Sequence, residues 1–192
     1  MVFQLTKLRR LDVQANRLTD IENLTSQNDT LEELYLSHNA ITSEGASKAT
    51  GLAQAFPKLN VLDLSRNRIV STEPFAHLSS LEELWLSGNK ITTFDDVQPL
   101  SVLGEHNTLE TIYLEYNPVA DEFEYRKKVA ELIPCLKQID ANMIGGLVAH
   151  GLAPPTVGRP TTSSGGAIQS AEEEMRRLQA AVIARARDQS GK

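Results

Sequence analysis

The chain has few of the sequence features of secreted and membrane proteins, such as paired cysteines and long apolar runs. It contains one cysteine, Cys135, so no internal disulfide framework can form, and a reducing compartment is the default expectation. No apolar run approaches the ~20 residues needed to span a bilayer. The amino-terminal sequence MVFQLTKLRR predicts no signal peptide. We therefore expect no membrane partner.

A recognisable catalytic or metal-binding motif is also missing. The four histidines are scattered, no C-x-x-C or H-E-x-x-H motif occurs, and no glycine-rich phosphate loop follows a strand. Asp95 and Asp96 form an acidic pair, but no third group stands at a spacing typical of a general acid and base, so a solvated helix start is the simpler interpretation. The sequence predicts that the protein is not an enzyme and uses no cofactor or metal.

Positive charge is scarce in the main body of the chain. The 40 or so residues from 151 onward hold six Lys/Arg and four Asp/Glu, which leaves 13 and 21 of the totals of 19 and 25, a net charge of −8, in residues 1–150. Nucleic-acid surfaces need clustered Lys and Arg, so direct nucleic-acid binding is not expected. The charge suits a basic protein partner.

What the sequence does contain is one pattern in five copies, with an apolar residue at positions 1, 4 and 6 and asparagine at position 9. The copies are LRRLDVQAN (8–16), LEELYLSHN (31–39), LNVLDLSRN (59–67), LEELWLSGN (81–89) and LETIYLEYN (109–117). The asparagines are 23, 28, 22 and 28 residues apart, which is typical of a leucine-rich repeat. The pattern predicts an α/β solenoid with short parallel concave strands and helical or irregular convex returns.

Each part of the repeat has an expected structural role. The leucines form a shared core, and the asparagines satisfy backbone groups in the turn after each strand. Of the two longer returns, residues 40–58 and 90–108, the first has room for a short helix. A longer convex helix is the favoured interpretation of these returns, with a loop beside the binding face as the alternative.

Side chains alternate across a strand, so positions 3 and 5 of each copy should line the concave face. Position 3 holds Arg10, Glu33, Val61, Glu83 and Thr111, and position 5 holds Asp12, Tyr35, Asp63, Trp85 and Tyr113. Exposed aromatic residues beside carboxylates are typical of protein interfaces. The predicted partner-binding residues are Asp12, Glu33, Tyr35, Asp63, Glu83, Trp85 and Tyr113. The alternative is that the rings only stabilise the sheet.

The predicted repeats occupy residues 1–117, and the sequence after them divides into three parts. Residues 118–144 contain helical spacing and one abbreviated strand, typical of a carboxy-terminal cap. Residues 145–170 are rich in Gly, Pro, Ser and Thr and predict a flexible linker. Residues 171–189 predict an amphipathic helix, with Met175, Leu178 and Val182 on one face. This helix docks in a groove of a partner, docks back onto the repeats, or is only partly formed.

The residues between the repeated leucines and asparagines resemble those of one family, the leucine-rich-repeat regulatory subunits of protein phosphatase 1 known as regulatory subunit 7. The likeness runs from about Leu5 to Ala141 and is strongest in LEELYLSHN, LEELWLSGN, TLETIYLEYNP, EYRKKV and LKQIDA, and Tyr125, Arg126, Pro134, Leu136 and Asp140 match a carboxy-terminal cap of intracellular repeat proteins. The resemblance implies a non-catalytic regulator in nucleus and cytoplasm that clasps the phosphatase catalytic subunit, with further regulatory proteins as additional partners. It carries the family's binding positions over to Asp63, Glu83, Trp85 and Tyr113.

Two departures from that family bear on function. Its members have further repeats and an amino-terminal cap before the matching part, so the sequence is either a fragment or a shortened relative. The first repeat's core should then be exposed, which predicts weaker stability and weaker or absent phosphatase binding. The extension past Ala141 is unusual for the family. An alternative function is a protein-interaction scaffold of a larger ribonucleoprotein or cytoskeletal assembly that does not bind the phosphatase.

Overall fold

The computed structural model describes residues 5–144, which form a stack of repeats, each with one short strand and a return segment. The strands are β1 (Arg10–Asp12), β2 (Glu33–Tyr35), β3 (Val61–Asp63), β4 (Glu83–Trp85), β5 (Thr111–Tyr113), β6 (Gln138–Ile139) and β7 (Asn142–Met143). They lie side by side in chain order, parallel from β1 to β6, with β7 antiparallel to β6. The predicted leucine-rich-repeat fold with its parallel strands is confirmed.

The returns between strands are short helices and irregular segments. The helices are α1 (Ser43–Ala46), α2 (Phe94–Val97), α3 (Ser101–Glu105) and α4 (Tyr125–Leu132), and 3₁₀ turns cover Glu73–Phe75, Gln98–Leu100 and Pro118–Asp121. The short helix expected in return 40–58 is α1, and return 90–108 contains both α2 and α3. Thr42 caps α1 by accepting a hydrogen bond from the Gly45 N–H. Both longer returns therefore contain short helices, and most of return 40–58 consists of turns and irregular chain.

The core lies between the strands and the returns. The central residue of each strand from β2 to β5 is fully buried, and so are the apolar residues that the returns contribute, such as Ile69, Phe75 and Leu100. One apolar cluster runs from Ile21 to Ile139. Because each repeat buries its leucines only against its neighbours, the stability of each repeat depends on the next.

Amide side chains hold the turns of successive repeats in register. The Asn67 side chain donates to the carbonyls of Leu64, in its own repeat, and Leu36, in the repeat before, at 3.0 Å each, and accepts from the Ile41 N–H at 3.0 Å. Asn39, Asn89 and Asn117 make the corresponding bonds in their repeats. We call this set the asparagine ladder.

A carboxylate of the carboxy-terminal cap satisfies backbone groups at the end of β5. Asp140 accepts hydrogen bonds from the N–H groups of Leu114 and Glu115 at 2.9 and 3.0 Å, and the Tyr125 hydroxyl of α4 donates to it at 3.2 Å. Arg126 donates to the carbonyls of Ile139 and Asn142. The cap residues noted in the sequence thus satisfy the backbone groups of the last strands.

The amino-terminal repeat is less well covered than the others. Leu8, Leu11 and Val13 are only partly buried, and Leu5 and Leu18 are exposed. By contrast, the matching residues of the third repeat, such as Leu59 and Leu62, are fully buried. The predicted linker 145–170 and helix 171–189 lie outside the described residues.

The asparagine ladder gives a prediction for stability. Asn67→Ala removes four hydrogen bonds and leaves the buried Ile41 N–H unpaired. The Leu36 and Leu64 carbonyls each keep one amide donor, so we expect a loss of about 2 kcal/mol or more in the free energy of unfolding. Asn16→Ala is the control, because Asn16 is exposed and bonds only to Val13 and Gln14 in its own repeat. It should cost about 1 kcal/mol or less. Urea denaturation followed by circular dichroism measures both, and equal losses would contradict the role of the ladder.

Candidate functional site

The concave face carries two continuous rows of side chains. The strand register pairs Asp12 with Tyr35, Tyr35 with Asp63, Asp63 with Trp85 and Trp85 with Tyr113. The same register aligns Arg10, Glu33, Val61, Glu83, Thr111 and Gln138 in a second row. The structure therefore brings all seven predicted site residues onto one face, in the two rows that strand alternation implies.

The aromatic rings are much less exposed than we expected. Tyr35, Trp85 and Tyr113 retain only 4, 8 and 9% of their accessible surface. The rings of Trp85 and Tyr113 pack with centroids 5.5 Å apart at an angle of 60°, because neighbouring strands place side chains about 5 Å apart. The expectation of openly exposed rings was wrong, and the aromatic row also stabilises the sheet.

The two rows are joined by hydrogen bonds within individual strands. The Tyr35 hydroxyl donates to Glu33 at 2.9 Å, and the indole N–H of Trp85 donates to Glu83 at 3.3 Å. In both pairs the residues are two positions apart, so they share one face of their strand. Each aromatic side chain therefore orients the carboxylate beside it.

An arginine neutralises the carboxylate of β2. Arg10 forms an ion pair with Glu33 at 2.8 Å, and its guanidinium lies 4.4 Å from the centre of the Tyr35 ring. Arg10 stood in the predicted concave row but was not named as a site residue, although a cation beside a carboxylate on the next strand was a signal for this pair. Arg10 and Glu33, the first two residues of the second row, therefore satisfy one another.

Glu83 differs from Glu33 because no cation pairs with it within residues 5–144. Burial raises the pKa of Glu83, the Trp85 N–H lowers it, and the negative charges of Glu82, Glu33 and Glu110 raise it further. This carboxylate is therefore held in a negative environment. A cation from a partner would relieve the repulsion.

Asp63 is a buried carboxylate with one unsatisfied oxygen. Its side chain is 1% exposed, one oxygen accepts the Ser65 N–H at 2.9 Å, and the other has no hydrogen-bond partner. Burial raises the pKa of Asp63, against the opposing effect of the Ser65 hydrogen bonds. A donor that reaches the second oxygen would remove an energetic cost.

The carboxy-terminal end of the aromatic row is fixed by a residue that sequence reasoning missed. Gln138 of β6 donates to the Tyr113 hydroxyl at 2.7 Å and to the Asp140 carbonyl at 2.7 Å. Counting Leu136 as position 1 of an abbreviated repeat would have placed Gln138 at position 3. At the other end of the row Asp12 is exposed and bonds only weakly to the Gln14 N–H, at 3.3 Å.

Other kinds of site are not evident on the described part of the chain. Residues 5–144 contain no group of three or more His, Cys, Asp or Glu side chains arranged to hold a metal ion. None of the helices described there has the length and apolar character that crossing a bilayer requires. The Cys135 thiol is half-buried and donates to the Leu109 carbonyl.

Comparison with known proteins places these features among leucine-rich repeats. The family described as leucine-rich repeat matches residues 2–145. A protein of Arabidopsis thaliana named protein phosphatase 1 regulatory inhibitor subunit PPP1R7 homolog is 39% identical over 86 residues, 45% of this chain and 24% of that protein. The probable U2 small nuclear ribonucleoprotein A' of Drosophila melanogaster is 31% identical over 138 residues, 71% of this chain and 49% of that protein.

A solved structure gives a comparable match. A chain of the Drosophila melanogaster SNF/U2A' complex superposes with a TM-score of 0.60 and 30% identity, over 71% of this chain and 75% of that one. The chain spans less than half the length of each of these two curated relatives.

The buried carboxylate of Asp63 gives a prediction for the pH dependence of stability. Since the folded protein raises the pKa above the ordinary 3.8, the folded state holds the proton more tightly, and folding stability falls as pH rises through the folded value. Asp63→Asn keeps an oxygen for the Ser65 N–H but carries no charge. We expect the variant to gain in free energy of unfolding relative to the parent chain as pH rises from about 3.8 to neutrality, measured by urea denaturation. A relative loss over that range would contradict an energetically costly charge.

Proposed function

The chain belongs to the leucine-rich-repeat family, and from that premise we propose that it is a non-catalytic regulatory subunit that binds the catalytic subunit of protein phosphatase 1 through its concave face. The proposed contact is made by Asp63, Glu83, Trp85 and Tyr113, with smaller contributions from Asp12, Glu33 and Tyr35. The control of the phosphatase is steric and allosteric, and it needs no catalytic group on this chain.

The observation that carries the proposal is the carboxylate Glu83 beside the packed rings of β4 and β5. It is oriented by Trp85, lacks a cation within the described residues and lies among other negative charges. Interfaces of this kind place a desolvated charge next to large aromatic side chains, where a basic group of the partner supplies both pairing and burial. Asp63 on the neighbouring strand is a second carboxylate of the same face, buried against its neighbours.

The relatives support a phosphatase partner in particular. The Arabidopsis relative and a fission-yeast protein named protein phosphatase 1 regulatory subunit SDS22 are both 39% identical to parts of the chain, over 86 and 71 residues. The repeat residues that resemble this family include the concave residues themselves. A location in nucleus and cytoplasm belongs to the same proposal.

A second candidate function is a scaffold within a ribonucleoprotein assembly. It is favoured by the match to the SNF/U2A' complex, which covers more of this chain than the phosphatase-subunit matches do. In this case the concave face would bind a protein of the assembly, since the acidic body disfavours direct RNA contact. Affinity purification of the tagged chain separates the two functions, because phosphatase catalytic subunit is recovered in one case and ribonucleoprotein proteins in the other.

The unequal pairing of the two concave glutamates gives a test of the site. Glu83→Gln should weaken binding of the phosphatase catalytic subunit about tenfold or more, since it removes a charge-assisted contact of about 1.5–3 kcal/mol. Glu33→Gln is a matched control of identical chemistry, and it should change affinity only about twofold, because Arg10 already neutralises Glu33. Isothermal titration of both variants measures the difference. Equal effects would contradict the assignment of the contact to β3–β5.

Truncation of the single tryptophan tests the aromatic part of the contact. Trp85→Ala should cost about 2 kcal/mol or more of binding free energy. Because Trp85 is largely buried, the variant also loses folding stability, so circular dichroism must first show that it is folded. Trp85→Phe keeps a ring against Tyr113 and should retain most of the affinity. Unchanged affinity in a folded Trp85→Ala protein would overturn the concave site.

A further inference from the structure

A second charged surface lies at the edge of the sheet where the strands end. Two positions flank each asparagine of the repeats, the eighth and the tenth. The eighth positions are Ala15, His38, Arg66, Gly88 and Tyr116, and the tenth positions are Arg17, Ala40, Arg68, Lys90 and Pro118. None of these ten residues is acidic, although residues 1–150 carry 21 acids and 13 Lys/Arg. We call Arg17, Arg66, Arg68 and Lys90 the basic edge.

The backbone holds the tenth positions in register. The N–H groups of Ala40, Arg68 and Lys90 each donate, at 2.8 Å, to a carbonyl of the preceding repeat. Arg68 and Lys90 are therefore neighbours on adjacent repeats, about 5 Å apart along the stack. Both side chains are exposed, as is that of Arg17.

A glycine makes room for another cation of the edge. Gly88 has a positive φ of 68°, and a β-carbon placed on it would lie 3.2 Å from the Cγ of Arg66. The Arg66 side chain thus passes close over the Gly88 backbone, where a larger residue would crowd it. The side chain of Arg66 thus reaches from the repeat that carries Arg68 to the repeat that carries Lys90.

Three cations of the basic edge have no carboxylate paired with them in the described residues. Within residues 5–144 no ion pair involves Arg17, Arg68 or Lys90. Like charges on adjacent repeats repel one another. An external anion would remove that repulsion.

We propose that the basic edge is an interaction surface for an extended acidic segment of a partner protein. From Arg17 to Lys90 the edge crosses three repeat spacings, about 14 Å, which an extended chain rising about 3.3 Å per residue covers with about five residues. A longer polyanion such as a nucleic acid would run beyond the edge onto a body of net charge −8, where it is repelled. A short Asp/Glu-rich peptide fits within the basic region.

This surface is distinct from the concave site and does not rest on the phosphatase proposal. The concave rows present carboxylates such as Glu83, whereas the edge presents guanidinium and ammonium groups. At physiological ionic strength the two fields are screened beyond about 8 Å. One chain can therefore bind the basic surface of one partner at its concave face and an acidic segment of another partner at its basic edge.

The test measures binding of a fluorescently labelled oligoglutamate peptide to the full chain by anisotropy at low salt. The double variant Arg68→Glu/Lys90→Glu should bind about tenfold more weakly or worse. The control, Lys7→Glu/Lys58→Glu, changes the net charge by the same amount at two exposed lysines away from the edge and should bind like the parent chain. All four residues are exposed, so both variants should fold, which circular dichroism checks.

Each other outcome overturns the proposal. Absence of oligoglutamate binding by the parent chain would show that the edge does not recognise carboxylates. Equal weakening in both double variants would show that only net charge matters. Tighter binding of a labelled oligothymidylate of equal charge than of oligoglutamate would replace the acidic polypeptide by a nucleic acid as the partner.

Discussion

The asparagine ladder is the interaction on which the rest of the structure depends. Each amide donates to carbonyls of two successive repeats and accepts from a third backbone group, so it satisfies a buried turn and fixes the offset between repeats at once. With that offset fixed, the strands pair residue for residue along the whole sheet. Continuous rows of side chains on the concave face and at the strand ends follow from this register.

The same register creates both surfaces to which function is assigned. On the concave face it crowds Tyr35, Trp85 and Tyr113 until little of each ring is exposed, and it leaves Glu83 without a cation while Arg10 satisfies Glu33. At the strand ends it lines up Arg68 and Lys90. The unpaired carboxylate Glu83 and the cations of the basic edge therefore lie on different surfaces, which is the premise of the two proposed binding sites.

Much of the candidate site followed from periodicity, because a strand shows alternate residues on one face whatever their identity. That is why Asp63, Glu83 and Trp85 could be placed on the concave face before any coordinates. Arg10 and Gln138 were missed for a physical reason. Their roles depend on contacts with Glu33 and Tyr113, which lie 23 and 25 residues away along the chain.

The sequence by itself determined the repeat, its buried leucines, its asparagine turns and its cap, since these arise from local patterns of apolar and amide residues that recur in every copy. Only the tertiary structure decided how exposed each functional side chain is and which charges remain unpaired. Burial and pairing are set by neighbours on adjacent repeats, and their distances depend on how the stack curves and packs. The pattern names which residues face the same way, whereas packing determines what each of them can bind.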